Sequence, residues 1–151
     1  MEKKVFKKAK KVIEEFFSKA GFAVDISLKL EEENKLELLL KSEEPQVLIG
    51  QQGRTLFEMQ GLLAKILRKQ LAEPLYLDLD VNSYKENKMR YLEDLAKTVA
   101  DRVSLDGTEK ALFPMTAYER RKVHTVLAER KDIITESRGE DPERRIIIRP
   151  A

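Results

Sequence analysis

The sequence predicts an α+β fold in two successive units, and three features carry that prediction. Apolar residues recur at helical spacing in four stretches, apolar and polar residues alternate in shorter runs between them, and glycine, proline and capping residues fall at the joins. Val5, Ala9, Val12, Ile13, Phe16, Phe17 and Ala20 form the first helical stripe, which Gly21 ends. "VDISLKL" and "KLELLLK" then read as two antiparallel strands with their turn at Glu31 to Asn34. That pairing lets Ile26, Leu28 and Leu30 share one face with Leu36, Leu38 and Leu40. After Pro45 the short helix "QVLIG" runs into a turn with two glycines three apart. Beyond it Leu56, Met59, Leu63, Ile66, Leu67 and Leu71 make a second long stripe, stopped by Pro74. "LYLDLDV" alternates as a half-exposed strand, Leu75, Leu77, Leu79 and Val81 facing one way and Tyr76, Asp78 and Asp80 the other.

A second unit follows. Ser83 and Glu86 have the spacing of a capping box, opening a helix whose buried stripe is Met89, Leu92, Leu95, Ala96, Val99 and Val103 and whose end is Gly107. "ALFPM" reads as a short strand with Pro114 at its edge or end. Thr116 and Glu119 make a second capping box at the start of the helix "AYERRKVHTVLAER". "DIITES" and "RRIIIR" close the chain as strands across "RGEDPE", where Gly139 and Pro142 suit a turn. The division is expected between residues 1–82 and 83–151, with no repeat, low-complexity tract or flexible linker.

Composition excludes several classes of function. With 151 residues and 42% hydrophobic content the chain can close a core without staples. It has no cysteine and one histidine, His124, so thiolate metal sites, disulfides and paired-imidazole sites are out, and no cofactor is expected. No apolar run approaches the roughly 20 residues that span a bilayer, no secretory segment follows the basic start, and the expected compartment is the cytoplasm. No glycine-rich ATP loop with its lysine occurs. The net charge of +2 hides an asymmetry, since residues 1 to 20 hold seven lysines against three glutamates and residues 24 to 46 seven acids against three lysines. Such asymmetry fits a nucleic-acid partner, although Lys7, Lys8, Lys10 and Lys11 also read simply as a solvated helix face.

Two places carry candidate chemistry. Gly50 and Gly53 lack Cβ atoms at a loop-to-helix junction, where a phosphodiester can approach the main chain and meet helix-terminal amides. Arg120 and His124 are four apart on one helix, about 40° around it, beside the stripe of Val123, Val126 and Leu127. A guanidinium there suits phosphate, and an imidazole can stack on a base or donate to phosphate oxygen. Asp78 and Asp80 share a strand face and suit a hard cation, but no base and nucleophile accompany them, so an enzyme is not expected.

With "GQQG" between two helices of an αββααβ order, residues 3 to 81 resemble a type II KH domain with a three-stranded sheet. Residues Gly50, Gln51, Gln52 and Gly53 occupy the place of that family's G-x-x-G loop. Many KH domains carry a basic residue where Gln51 and Gln52 stand here, and Arg54 directly after the loop offers a substitute cation. "ALFPM", "ERR" before "VH", and "TESRGEDPERRIIIRP" resemble the small α/β nucleic-acid-binding domain known for its Arg-x-x-x-His signature. Matched residue by residue, that signature is Arg120 and His124, with Arg121 and Lys122 as added cations.

In this order the two modules resemble the Jag family, also called SpoIIIJ-associated or KhpB. Longer members carry a further N-terminal Jag domain, and because the resemblance starts at the KH helix the expectation is a chain lacking it. The resemblance implies a non-enzymatic single-stranded RNA-binding protein, a post-transcriptional regulator or RNA chaperone linked to cell shape or sporulation. It implies a small single-KH protein as partner, allows a homodimer, and involves no membrane insertion. If both surfaces hold one strand, linkage raises avidity by roughly a hundredfold. The alternative is a protein-interaction scaffold whose neutral "QQ" loop no longer grips RNA.

Overall fold

In the computed structural model, which describes residues 3–31 and 34–151, the first stripe becomes helix α1 (Lys3–Ala20), burying Ala9, Val12, Ile13 and Phe17. Gly21, at φ +78°, ends it as Phe22 N–H turns back to the Phe17 carbonyl. Strands β1 (Asp25–Leu30) and β2 (Lys35–Lys41) pair antiparallel, setting Ile26 against Leu40, Leu28 against Leu38 and Leu30 against Leu36. Residues 32 and 33 of the expected turn lie outside the described residues. The shared apolar face fades toward the edge: Leu36, Leu38 and Leu40 are buried, whereas Leu30 on β1 is 40% exposed.

Helix α2 (Pro45–Ile49) has its proline in the first turn, where a missing N–H is harmless. Helix α3 (Arg54–Leu71) buries Leu56, Met59, Leu63, Ala64 and Leu67. It stops before Pro74 is reached, at Ala72 in the left-handed region with φ 55°. Strand β3 (Tyr76–Val81) then lies parallel to β2, Leu77 beside Leu36, Leu79 beside Leu38 and Val81 beside Leu40. The sheet order is β1-β2-β3, and its apolar face forms one core with α1, α2 and α3. The crossover through two helices is what a parallel neighbour requires.

Helix α4 (Tyr84–Asp106) starts without the expected Ser83 box. Ser83 sits at φ +57° instead of in extended backbone, and Asp80 Oδ1 takes the Lys85 backbone N–H at 3.2 Å. Glu86 pairs with Arg90 instead. The chain divides at this point into two compact units, the first ending at Lys85 and the second beginning at Glu86.

In the second unit α4 presents Leu92, Ala96, Ala100 and Val103 to a core shared with Val123 and Leu127 of α5 (Ala117–Leu127). Strands β4 (Lys110–Ala111), β5 (Ile133–Arg138) and β6 (Arg145–Pro150) form an antiparallel sheet in the order β4-β6-β5. The strand expected at "ALFPM" is shorter and earlier, because Pro114 has no N–H to offer. Leu112 and Met115 nonetheless donate to the Ile146 and Arg144 carbonyls at 2.9 and 3.1 Å, which holds the segment along β6. Among the described residues no helix is long and apolar enough to cross a membrane.

Candidate nucleic-acid interface

Between α2 and α3 Gly50 leads into one 3-10 turn over Gln51–Gly53, and Gly50, Gln52 and Gly53 all have positive φ. Gly50, at φ 72° and ψ −175°, occupies backbone space essentially reserved for glycine. The Cβ side of both glycines is filled by the protein itself. A Cβ on Gly50 would fall on the Thr55 hydroxyl and 2.7 Å from Thr55 Cβ, and one on Gly53 would lie 2.8 Å from Tyr84 Cε1. The glycines therefore shape the bend, and the surface it offers is the exposed set Gln51, Gln52 and Arg54. Three of its amides are used internally, Gly50 to the Gln46 carbonyl at 2.9 Å, Gly53 to Gly50 at 3.4 Å and Arg54 to Gln51. Gly53 provides no side-chain cap for α3, whose N-terminus carries the positive end of the helix dipole. Arg54 leans on Glu58, Nε to Oε1 3.1 Å, in a pair open to solvent on both sides.

The start of α5 is fixed by the full capping box. Thr116 Oγ1 accepts from Glu119 N–H at 3.3 Å, and Glu119 Oε2 accepts from Thr116 N–H at 2.8 Å. The other Glu119 oxygen meets Lys88 Nζ at 2.6 Å, with both side chains almost buried. These contacts set the rotation of α5 against α4. Arg120 is thereby turned inward and is only 8% exposed. Its Nη1 donates to the Met115 carbonyl at 2.6 Å and to Asp141 Oδ1 at 3.1 Å. His124 lies half-buried one turn on, its Nδ1 2.7 Å from Thr135 Oγ1 on β5. Burial, and then the Arg120 charge, hold the imidazole below its ordinary pKa of 6.5, favouring the neutral ring.

Residues 90–150 match the family of the Arg-x-x-x-His domain. The chain is 36% identical over 142 residues to the RNA-binding protein KhpB of Clostridium symbiosum, an alignment covering 93% of this chain and 64% of that protein. The chain carries an Arg-x-x-x-His domain and is similar to KhpB over most of its length. It is also 33% identical over 102 residues to the KhpB of Lactiplantibacillus plantarum and 26% over 113 residues to that of Streptococcus pneumoniae, covering 68% and 75% of this chain. It spans 64% of the first relative's length and about a third of the other two, 32% and 34%.

Within this domain the signature residues Arg120 and His124 come together, electrostatically coupled and tied to β5 and the 139–144 loop through Thr135 and Asp141. Lys122 departs from them. It pairs with Glu93 of α4 at 2.5 Å, a contact that raises the Lys122 pKa and lowers that of Glu93. Arg121 faces solvent, and no carboxylate pairs with it among the described residues.

Two exposed aromatic residues were not singled out from the sequence. Phe57, 75% exposed, stands one turn beyond the glycine bend, and Tyr118, 69% exposed, precedes Arg121 by three residues on α5. Each is an aromatic residue outside its helix's apolar stripe, which was the available signal. A cleft of about 1020 Å³ opens in the first unit between the end of α1, the start of β1 and α2, with Phe22, Val24 and Val47 on its walls. Asp25, Glu43 and Glu44 outnumber Lys41 around it, so its field opposes a phosphate chain. Asp78 is occupied by Lys85 at 2.5 Å and Lys35 at 3.9 Å, and Asp80 Oδ1 receives the Val81 N–H. Those contacts give both carboxylates a structural use at the β3–α4 corner.

Proposed function

We propose that the chain binds single-stranded RNA without acting on it chemically, residues 1–82 working as a type II KH module and residues 83–151 as the Arg-x-x-x-His module. The observation that carries this reading is the glycine bend. It lies at the surface between two helices of an αββααβ unit and displays Gln51, Gln52 and Arg54 beside the exposed ring of Phe57. Phosphate oxygens can accept from the two amides and the guanidinium, and a base can stack on the ring. In the second module Arg121, Tyr118 and the exposed edge of His124 offer a cation, a stacking face and a hydrogen-bonding ring. Arg120 positions its loop and can reach a phosphate by exchanging it for Asp141. The relatives are each named RNA-binding protein, which supports the same reading.

Fluorescence anisotropy with a random-sequence single-stranded RNA tests it. The double variant Gln51→Asp/Gln52→Asp places two charges at the bend without touching its glycines, and Arg121→Ala removes an exposed α5 cation that meets no carboxylate among the described residues. Each should weaken binding several-fold at low salt while leaving the circular dichroism spectrum unchanged. Native affinity in both folded variants removes both proposed surfaces. A second reading, a scaffold that pairs with a small single-KH protein or with its own copy, is favoured by the neutral glutamine pair. Absence of saturable RNA binding by the native chain at low salt would select it. A regulatory role in the cytoplasm, as an RNA chaperone linked to cell shape or sporulation, rests on the family resemblance. Crosslinking to cellular RNA with peptide mapping tests that role.

A further inference from the structure

Helix α1 carries an electrostatic arrangement that folding does not call for. Six of its first nine residues, Lys3 through Lys11, are lysine, and none is acidic. At 100° per residue Lys3, Lys4, Lys7 and Lys11 fall within about a third of the helix circumference, opposite the buried Ala9, Val12 and Ile13. Lys3 and Lys7, and Lys7 and Lys11, are like charges at i, i+4, a spacing that opposes the helix. Of the six, Lys10 meets Glu14 at 3.9 Å, and Lys8 donates to the Gln70 carbonyl at the end of α3 at 2.9 Å. Lys3, Lys4, Lys7 and Lys11 pair with no carboxylate among the described residues. The Lys8 contact also brings this face beside the last turns of α3, where Lys65 and Lys69 are likewise exposed and unpaired among the described residues.

The second unit is largely the reverse. Its Lys110, Lys122, Arg130, Arg138, Arg145 and Arg149 all have carboxylate partners. Uncompensated positive charge is thus concentrated on the first unit's helical face rather than among the cations that the Arg-x-x-x-His signature points to.

We propose that the lysine face of α1, extended by Lys65 and Lys69, is a sequence-independent track for the phosphates of the single-stranded RNA that the chain binds. The proposal rests on the RNA-binding reading above and adds a surface to it. Charge complementarity selects a polyanion, and the burial of α1's apolar side selects a nucleic acid over a membrane. A helix lying in a bilayer interface needs apolar residues to insert, and those of α1 are already committed to the core. Phosphate binding would also relieve the repulsion along the helix.

The test is the salt dependence of RNA affinity in the full chain, measured for the native protein and for Lys4→Gln/Lys7→Gln/Lys11→Gln. Glutamine matches lysine in helix propensity. A control, Lys29→Gln/Lys41→Gln/Lys97→Gln, removes equal charge from exposed positions elsewhere. Losing three phosphate contacts should flatten the plot of log affinity against log salt by about two, since each contributes roughly 0.7 for a single strand. The affinity gap between native and variant should then narrow by about twentyfold between 50 and 200 mM salt. An unchanged slope, or an equal change in the control, overturns the lysine track while native binding keeps the broader reading intact. No binding by the native chain overturns both. Vesicles of anionic phosphatidylglycerol form the last arm, and lysine-dependent binding to them with an unaltered RNA slope assigns the face to a membrane and overturns the proposal.

Discussion

Arg120 offers the sharpest separation between folding and binding. Truncating it to methionine keeps most of the buried stem but removes the guanidinium that satisfies the Met115 carbonyl at 2.6 Å. A hydrogen bond from a charged donor to a buried carbonyl contributes about 1.5–3 kcal/mol, and the stranded acceptor is included in that figure. The contact with Asp141 adds little, below about 1 kcal/mol, because Asp141 remains 71% exposed. Arg120→Met should therefore cost about 2–3 kcal/mol of second-unit stability, and Arg120→Ala about 1–2 kcal/mol more through loss of the stem's methylenes. For a unit of this size 2 kcal/mol lowers the melting temperature by roughly 8–16 °C.

Urea unfolding, followed by circular dichroism and by the NMR signal of the chain's single histidine, reads the effect in the right unit. The expected result is a lower midpoint at unchanged slope, with Asp141→Asn close to native. A folded Arg120→Met protein that unfolds at the native urea concentration and yet loses RNA affinity would refute the positioning role and make Arg120 a direct ligand.

Four further outcomes follow from the geometry. His124 has a lowered pKa in the folded chain, so the unfolded chain binds the extra proton first. Its contribution to stability is whole above pH 6.5 and is lost as pH falls through the folded value, which denaturation at stepped pH will register. RNA should raise the His124 NMR titration midpoint if phosphate comes near the ring, and an unmoved midpoint excludes that contact. Gly50→Ala should destabilise the first unit by more than Gly21→Ala, since Gly21 pays about 1–2 kcal/mol for its positive φ alone, whereas Gly50 combines a φ, ψ pair open essentially to glycine with a clash against Thr55; equal melting temperatures would remove both arguments. Lys88→Met should cost about 3–5 kcal/mol by leaving Glu119 charged and buried, whereas adding Glu119→Gln should recover part of the loss, and additive costs in a double-mutant cycle would deny the coupling.

How much of this was legible in the chain depends on how far each cause lies along it. Strand β2 spans "KLELLLK" as read, because a central strand with one buried face must alternate strictly. The α3 stripe was equally plain, and its end came early only because Ala72 takes the left-handed backbone ahead of Pro74. The inward turn of Arg120 was not legible. Helical spacing placed it at the edge of the buried face, but the rotation of α5 depends on Lys88, far back in α4, and the guanidinium is held by the Met115 carbonyl in the segment before the helix. The same holds at the glycine bend, where the sequence suggested room for a ligand and the structure puts Thr55 and Tyr84 there. Periodicity reports which side of an element is apolar; it carries no information about which distant side chain fills a gap.

The paired cations of the Arg-x-x-x-His domain are not thereby excluded from RNA, since a pair's worth depends on its exposure. Arg54 and Glu58 in the first unit show the weak limit: their side chains are 81% and 64% exposed, so exchanging Glu58 for phosphate gives up less than about 1 kcal/mol. Lys122 and Glu93, 37% and 33% exposed, hold each other more firmly and mutually favour their charged forms. Recruiting cations in order of least cost would begin with Arg121 and the α1 lysines, proceed to Arg54, and reach Lys122 late. His124 stands apart from that series. Its neutral ring would enter as a hydrogen-bonding and stacking surface at neutral pH, and would become a cation only when acidification or an adjacent phosphate made up for its burial beside Arg120.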